Sequence, residues 1–299
     1  SRRVFWRQRG SKSGLPKWRT EGEPRTWSMS ENEIIDLRRH GRPPYAVALL
    51  HGGPGARGEM APVARALSSS RGVLEPLQRA TSVRGQVEEL RRDLEAAGDP
   101  PMTLIGFSWG GWLGFILAAE YPDLVRKLIL VGCPPFEERY APAVHLTRMS
   151  RLGAEERREA SSILRLLVGP GNAGAEESKG ALRRLGAILS KADSYDPILS
   201  ESADVDLQVE AFQAVWREAA ELRKSGRLLV LGRRIDCPVV AIHGDYDPHP
   251  SDGVRLPLSS VLKSNRFVLL EGCGHKPWVE RQARDRFYEI LEEEMRIPS

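Results

Sequence analysis

The stretch MTLIGFSWGGWLGFILAAEYP, residues 102–122, joins an apolar strand-like run to a helix-like run with no room for a loop between them. Gly106-Phe107-Ser108-Trp109-Gly110 must carry the whole turn. Small residues two positions either side of the serine let the chain reverse sharply without collision, and the turn pushes the Ser108 hydroxyl out over the strand end. The bare G-x-S-x-G pattern arises readily by chance or as a tight packing turn. The strand before it and the helix after it give it meaning. Buried strands feeding directly into helices narrow the fold to layered α/β arrangements.

The rest of the chain keeps that rhythm. A short edge strand within EIIDLRRH precedes the buried strand 45–50, and 60–67 has helical spacing. GVLEPL reads as a further short strand. Val83, Val87, Leu90 and Leu94 share one face of an amphipathic helix that Gly98 closes. KLILVG, CPVVAIHGD and RFVLLEG are buried strands, and a final helix is expected from Pro277 to about Met295. Between Glu137 and about Arg227 the pattern turns helical and rich in Arg and Glu. We therefore expect a mostly parallel central sheet flanked by helices, in two core parts, 29–136 and 231–299, with a helical cap inserted over 137–230.

Residues 1–28 carry eight Lys/Arg against Glu21 and Glu23, six net positive charges against +4 for all 299 residues, which leaves the remainder at −2. That segment reads as a basic leader or an appended extension, with Met29 as the expected start. A transit-like peptide and a nucleic-acid arm are the alternatives, but the body itself is not basic. No apolar run reaches the ~20 residues needed to span a bilayer. Cys133, Cys237 and Cys273 are odd in number and lack C-x-x-C spacing, which argues against a disulfide framework or a zinc site. The expected location is the cytoplasm.

A serine hydroxyl needs a base to take its proton. His275, in the glycine loop GCGHKPW after a strand, is the candidate; His243 ends a buried strand, and His40, His145 and His249 lie in a turn, the insertion and a Pro-flanked pair of positions. A carboxylate must then fix the imidazole's tautomer. Asp247 in HGDYDP is favoured over Asp245, which sits closer to the strand end and suits bridging of the turn. The loop LLHGGPGA, residues 49–56, brings bare backbone close to a ligand, so the N–H of Gly53, with that of Trp109, is the expected oxyanion hole. His51 braces that loop, Trp109 also lines the site, and Trp112 belongs to the core.

HGGPG, GFSWGG, HGDYDP and GCGHKPW, in that order over about residues 34–295, resemble the α/β-hydrolases of the group that contains the proline iminopeptidases. The resemblance implies an α/β-hydrolase fold and an esterase or an aminopeptidase, and Ser108 disfavours the dehalogenases and epoxide hydrolases, which use aspartate there. In proline iminopeptidases acidic cap residues hold the substrate's ammonium, and adjacent Trp and Glu in the cap are typical. Here Arg217 separates Trp216 from Glu218, which are the candidate substrate-binding residues. The insertion has fifteen Asp/Glu against fourteen Lys/Arg, so it does not select cations as a whole; the run Glu201, Asp204, Asp206, Glu210 is the local exception. The sequence therefore favours a carboxylesterase on small to medium acyl esters over an aminopeptidase on short peptides, with an inert binding scaffold as a third reading. No cofactor and no metal are expected, and the partner is a small-molecule ester or short peptide, with no nucleic acid and no membrane.

Overall fold

The structure is a computed structural model that describes residues 36–168, 175–198 and 205–296. The leader 1–28, Met29, Glu201 and Asp204 lie outside the described residues. In chain order the elements are β1 (Leu37–His40), β2 (Val47–Leu50), β3 (Ala56–Arg57), α1 (Ala61–Leu67), β4 (Val73–Pro76), α2 (Val83–Ala97), β5 (Met102–Phe107), α3 (Trp109–Glu120) and β6 (Val125–Val131). Helices α4 (Ala141–Arg151), α5 (Ala154–Val168) and α6 (Ala175–Asp193) follow, then β7 (Asp206–Leu207), α7 (Val209–Lys224) and α8 (Arg227–Val230). The chain returns to the sheet with β8 (Val239–Gly244), α9 (Asp252–Val261), β9 (Asn265–Leu270) and α10 (Arg284–Arg296).

Seven of the described strands form one sheet in the order β1-β4-β2-β5-β6-β8-β9. Among the described strands of this sheet only the β1–β4 pair is antiparallel. Alternate residues feed two cores: Ala48, Leu50, Leu104, Leu128 and Leu130 pack towards α2, α3 and α9, whereas Val47, Leu49, Ile105, Ile129 and Val131 pack towards α1 and α10. Burial on both faces explains the near-continuous apolar strands. β2 has β4 on one side and β5 on the other, so the connections reverse direction at β2. A reversal of this kind opens a crevice at the carboxyl ends of the strands.

α3 is apolar on all sides because it is enclosed on all sides. Its approach depends on small residues: a Cβ at Gly106 would collide with the Gly110 carbonyl, and one at Gly110 with the Leu50 carbonyl. α2 ends at Gly98 as its sequence suggests, the Gly98 N–H donating to Leu94 O, and its start is capped by Ser82 Oγ, which accepts from Gly85 N at 3.0 Å.

Three details differ from the sequence reading. The last helix begins at Arg284, after a separate turn at Pro277–Val279, because Glu280 is turned inward between them. α9 is a helix that its sequence does not mark, since Pro257 interrupts the pattern. The proline cannot donate to the Gly253 carbonyl four residues back, and the Phe136 N–H takes that carbonyl instead, at 2.9 Å. The inserted stretch also contains a strand: β7 pairs antiparallel with β3, and Gln208 N donates to Gly55 O at 2.9 Å.

Helices α4 to α6 have an apolar cluster of their own, built on Leu152, Ala160, Leu167, Leu182, Leu185, Ile188 and Ala192. α7 instead joins the main core through Val215, Ala219 and Leu222. Among the described residues no helix is long and apolar enough to cross a membrane.

Candidate active site

Ser108 occupies the turn between β5 and α3 with φ 49° and ψ −116°, the one described non-glycine residue at positive φ. Such a conformation costs about 1–3 kcal/mol and persists only where the surroundings impose it. Two backbone bonds impose it here: Ser108 N donates to Val131 O and Ser108 O accepts from Gly111 N, both at 2.9 Å. The residue is 9% exposed.

His275 leaves the loop after β9, and its N–H donates to Asp193 O, the last residue of α6, at 2.8 Å. Its ring lies against Phe107, the neighbour of Ser108, with centroids 4.7 Å apart. His275 Nδ1 donates to Asp247 Oδ2 at 2.8 Å. Asp247 is in the loop after β8 and its side chain is fully buried. Gly132, at the end of β6 with φ +53°, lies directly beneath this pair: a Cβ there would sit 2.8 Å from His275 O, 3.1 Å from His275 Nδ1 and 3.3 Å from Asp247 Oδ2. Asp245 takes the bridging place, its Oδ1 accepting from Cys273 N at 3.1 Å.

Burial alone would raise the Asp247 carboxyl. The electrostatic pull of the His275, His249 and His243 imidazoles and the hydrogen bond from His249 hold it well below the usual carboxylate range instead. In the sequence His249 is marked only by the prolines on either side of it. The structure brings its ring Nδ1 to Asp247 Oδ1 at 2.7 Å and its backbone N–H to the same oxygen at 2.9 Å. The available signal was the Asp-Pro-His-Pro turn, in which an aspartate commonly accepts from the backbone two residues on. His243 Nε2 donates to His249 O at 2.7 Å. Asp247, His249 and His275 are also near enough, with ligand atoms within 4.8 Å of one another, to hold a metal ion. Both Nδ1 atoms face the carboxylate, so the arrangement is that of a hydrogen-bonded cluster.

The glycine loop after β2 abuts the same place. A Cβ on Gly52 would meet the Phe107 ring and Glu59 Oε2, and Gly53 has φ +39°. His51 is buried, its imidazole pushed down by burial, and Nδ1 donates to Gly52 O at 2.9 Å. Glu59 pairs with Lys276 at 2.6 Å, joining this loop to the one that carries His275. The Trp109 N–H opens α3, where no earlier helical carbonyl can accept it.

Other expected residues are placed differently. The Trp109 side chain does not line the crevice; it turns into the core, and Nε1 donates to Gln86 of α2 at 2.8 Å. Trp216 stacks on Trp112 of α3, with centroids 6.1 Å apart and planes at 12°. Glu218 is exposed and turned to the start of α2, where its Oε2 accepts from Val83 N at 2.8 Å and caps that helix. Of the two described acids of the local run, Asp206 in β7 pairs with Arg57 at 2.9 Å, and Glu210 is exposed in the first turn of α7. Cys133, Cys237 and Cys273 are free thiols.

Glu280 holds the His275 loop against the end of α6. Its fully buried carboxylate accepts from the N–H groups of Tyr195, Asp196 and Gly274 at 2.8–3.0 Å. Glu280→Ala strands these donors and is expected to destabilise the fold by about 3 kcal/mol, read as a lowered urea midpoint with unchanged slope.

The chain belongs to the α/β-hydrolase fold family, whose sequence pattern matches residues 45–282. A pimeloyl-[acyl-carrier protein] methyl ester esterase of Neisseria meningitidis serogroup A is 24% identical over 197 residues, 62% of this chain. The match covers 57% of that relative, so this chain spans little more than half its length. The serogroup C counterpart is 27% identical over 196 residues, 62% of this chain and 70% of the relative. A proline iminopeptidase structure from Mycobacterium smegmatis superposes with a TM-score of 0.57 at 17% identity, over 87% of this chain and 93% of that one, which is a likeness of fold.

Proposed function

We propose that this protein is a serine hydrolase acting on carboxylic esters of small to medium acyl chains. The observation that carries the reading is the buried Asp247–His275 hydrogen bond, with the His275 ring packed on Phe107, whose next residue is a serine held in strain at a strand-to-helix turn. With Nδ1 engaged by Asp247, His275 has Nε2 to take the Ser108 proton as Oγ attacks the ester carbonyl. The carbonyl oxygen becomes an oxyanion, received by the N–H groups of Gly53 and Trp109. His275 then protonates the departing alcohol, leaving an acyl-Ser108. Water, deprotonated by His275, releases the acid and restores the serine.

In this reading the helices between β6 and β8 roof the crevice as a cap. The esterase names of the Neisseria relatives favour an ester over a peptide. The engagement of Glu218 and Asp206 supports the same choice, since an ammonium buried without a partner costs about 3 kcal/mol, roughly a hundredfold in rate. The test is a comparison of p-nitrophenyl esters of increasing chain length with prolyl and alanyl p-nitroanilides. kcat/KM is expected to favour the best ester by about a hundredfold or more. Anilide turnover equal to that of the esters would overturn the reading in favour of an aminopeptidase.

A further inference from the structure

The Asp247 carboxylate is held from two sides. Oδ2 accepts from His275, while Oδ1 accepts from the His249 backbone N–H and from its ring. Resting on the serine-hydrolase reading above, we propose that His249 is a positioning residue: its Nδ1–H locks the rotation of the Asp247 carboxylate so that Oδ2 is presented to His275.

The His249 ring is itself fixed. Pro248 and Pro250 restrict the backbone on both sides. The His249 carbonyl accepts from His243 Nε2, which places the His243 proton on that nitrogen and leaves His243 Nδ1 buried and unpartnered among the described residues. The ring lies on His275 with centroids 4.6 Å apart and planes inclined at 40°. Only one tautomer lets His249 donate to the carboxylate, with the proton on Nδ1.

Burial pushes the His249 imidazole down to about 4, although Asp247 pulls the other way. At neutral pH the ring therefore gives a proton to a hydrogen bond without adding a charge. That distinction matters for the proposed chemistry. A cation at this position would neutralise Asp247 and oppose the imidazolium that forms on His275; a neutral donor orients the carboxylate and leaves its charge to act on His275. Without the ring donor, Oδ1 retains one backbone N–H, and the broad torsion of a carboxylate lets it turn away. The groups facing Asp247 are His243, His249, His275, Arg148 of α4 paired with Asp193, and the thiols of Cys133 and Cys273, both raised by burial.

The experiment compares the full chain with His249→Asn, which keeps an N–H donor near the Nδ1 position, and His249→Ala, which removes it. kcat and KM for p-nitrophenyl butyrate are measured from pH 5 to 9. His249→Asn is expected to stay within about threefold of the parent, and His249→Ala to lose about tenfold to a hundredfold in kcat at unchanged KM. The acidic limb of kcat/KM should move about one pH unit lower in His249→Ala, because a misdirected carboxylate stabilises the imidazolium less. Equal rates and superimposable pH profiles in all three proteins would overturn the proposal, as would equal losses in both variants without a shift of the limb. Should the alanine variant not fold, His249→Gln replaces it. Its amide lies one bond too far out, so it is expected to lose kcat while keeping KM; the parental rate would overturn the proposal. Ser108→Ala in the same assay separates the two claims. A parent protein without esterase activity, or an alanine variant as active as the parent, removes the serine-hydrolase reading itself.

Discussion

Replacing Ser108 with alanine is expected to lower kcat on p-nitrophenyl esters by about ten-thousandfold or more, and to abolish labelling by a fluorophosphonate probe, with no fall in thermal midpoint. The separation of activity from stability is what makes the result informative. At φ 49° alanine takes on the same backbone strain as serine, and the bonds to Val131 and Gly111 that hold the turn are made by the backbone alone. Glycine has no such penalty. Ser108→Gly should therefore be equally inactive yet more stable by about 1 kcal/mol, measured as a higher denaturation midpoint. Retention of activity within tenfold in Ser108→Ala would place the nucleophile elsewhere.

Asp247→Asn is expected to cost about ten-thousandfold in kcat at neutral pH. The cause is a mismatch of donors. Asp247 accepts from three N–H groups through two oxygens, whereas asparagine offers one oxygen and one NH2. If the amide oxygen stays with the two His249 donors, the NH2 faces His275 Nδ1. His275 must then carry its proton on Nε2, the nitrogen that should accept from Ser108. If the amide is flipped, two His249 N–H groups face an NH2, and the loop after β8 must move. Measurement of kcat and of the urea midpoint distinguishes the routes: the first loses activity alone, the second loses both. Activity within tenfold of the parent would remove Asp247 from the proposed chemistry.

The fold was legible where burial alone decides the residue pattern. The apolar runs of β2, β5, β6 and β8 could be read directly because both faces of the sheet are covered, and α2 announced itself through a four-residue stripe closed by Gly98. α9 was hidden because its compensation lies outside it: the carbonyl that Pro257 leaves unpaired is satisfied by Phe136, more than a hundred residues away in sequence. The positions of Ser108, His275 and Asp247 could be drawn from local motifs, and the structure brings Asp247 to His275. His249 could not be ranked, since a histidine between prolines becomes informative only once the turn folds it onto the carboxylate. Glu218 misled for the reverse reason. Its sequence neighbours suggested a role facing a ligand, but its actual partner, the first N–H of α2, is set by how α7 packs against the main core.

The short pairing of β3 with β7 ties the glycine loop to the inserted helices, just as the bond from His275 N to Asp193 O ties the histidine loop to the end of α6. The helices between β6 and β8 and these two loops are therefore mechanically linked. Exchanging residues 137–230 for the corresponding helices of another family member would not be a simple change of pocket shape. Unless the graft supplied its own strand to meet Ala56 and Arg57 and its own carbonyl to meet His275, it would slacken both walls of the crevice at once. On the proposed ester-hydrolase reading, a recipient chosen for a new acyl group would then lose turnover before it gained selectivity.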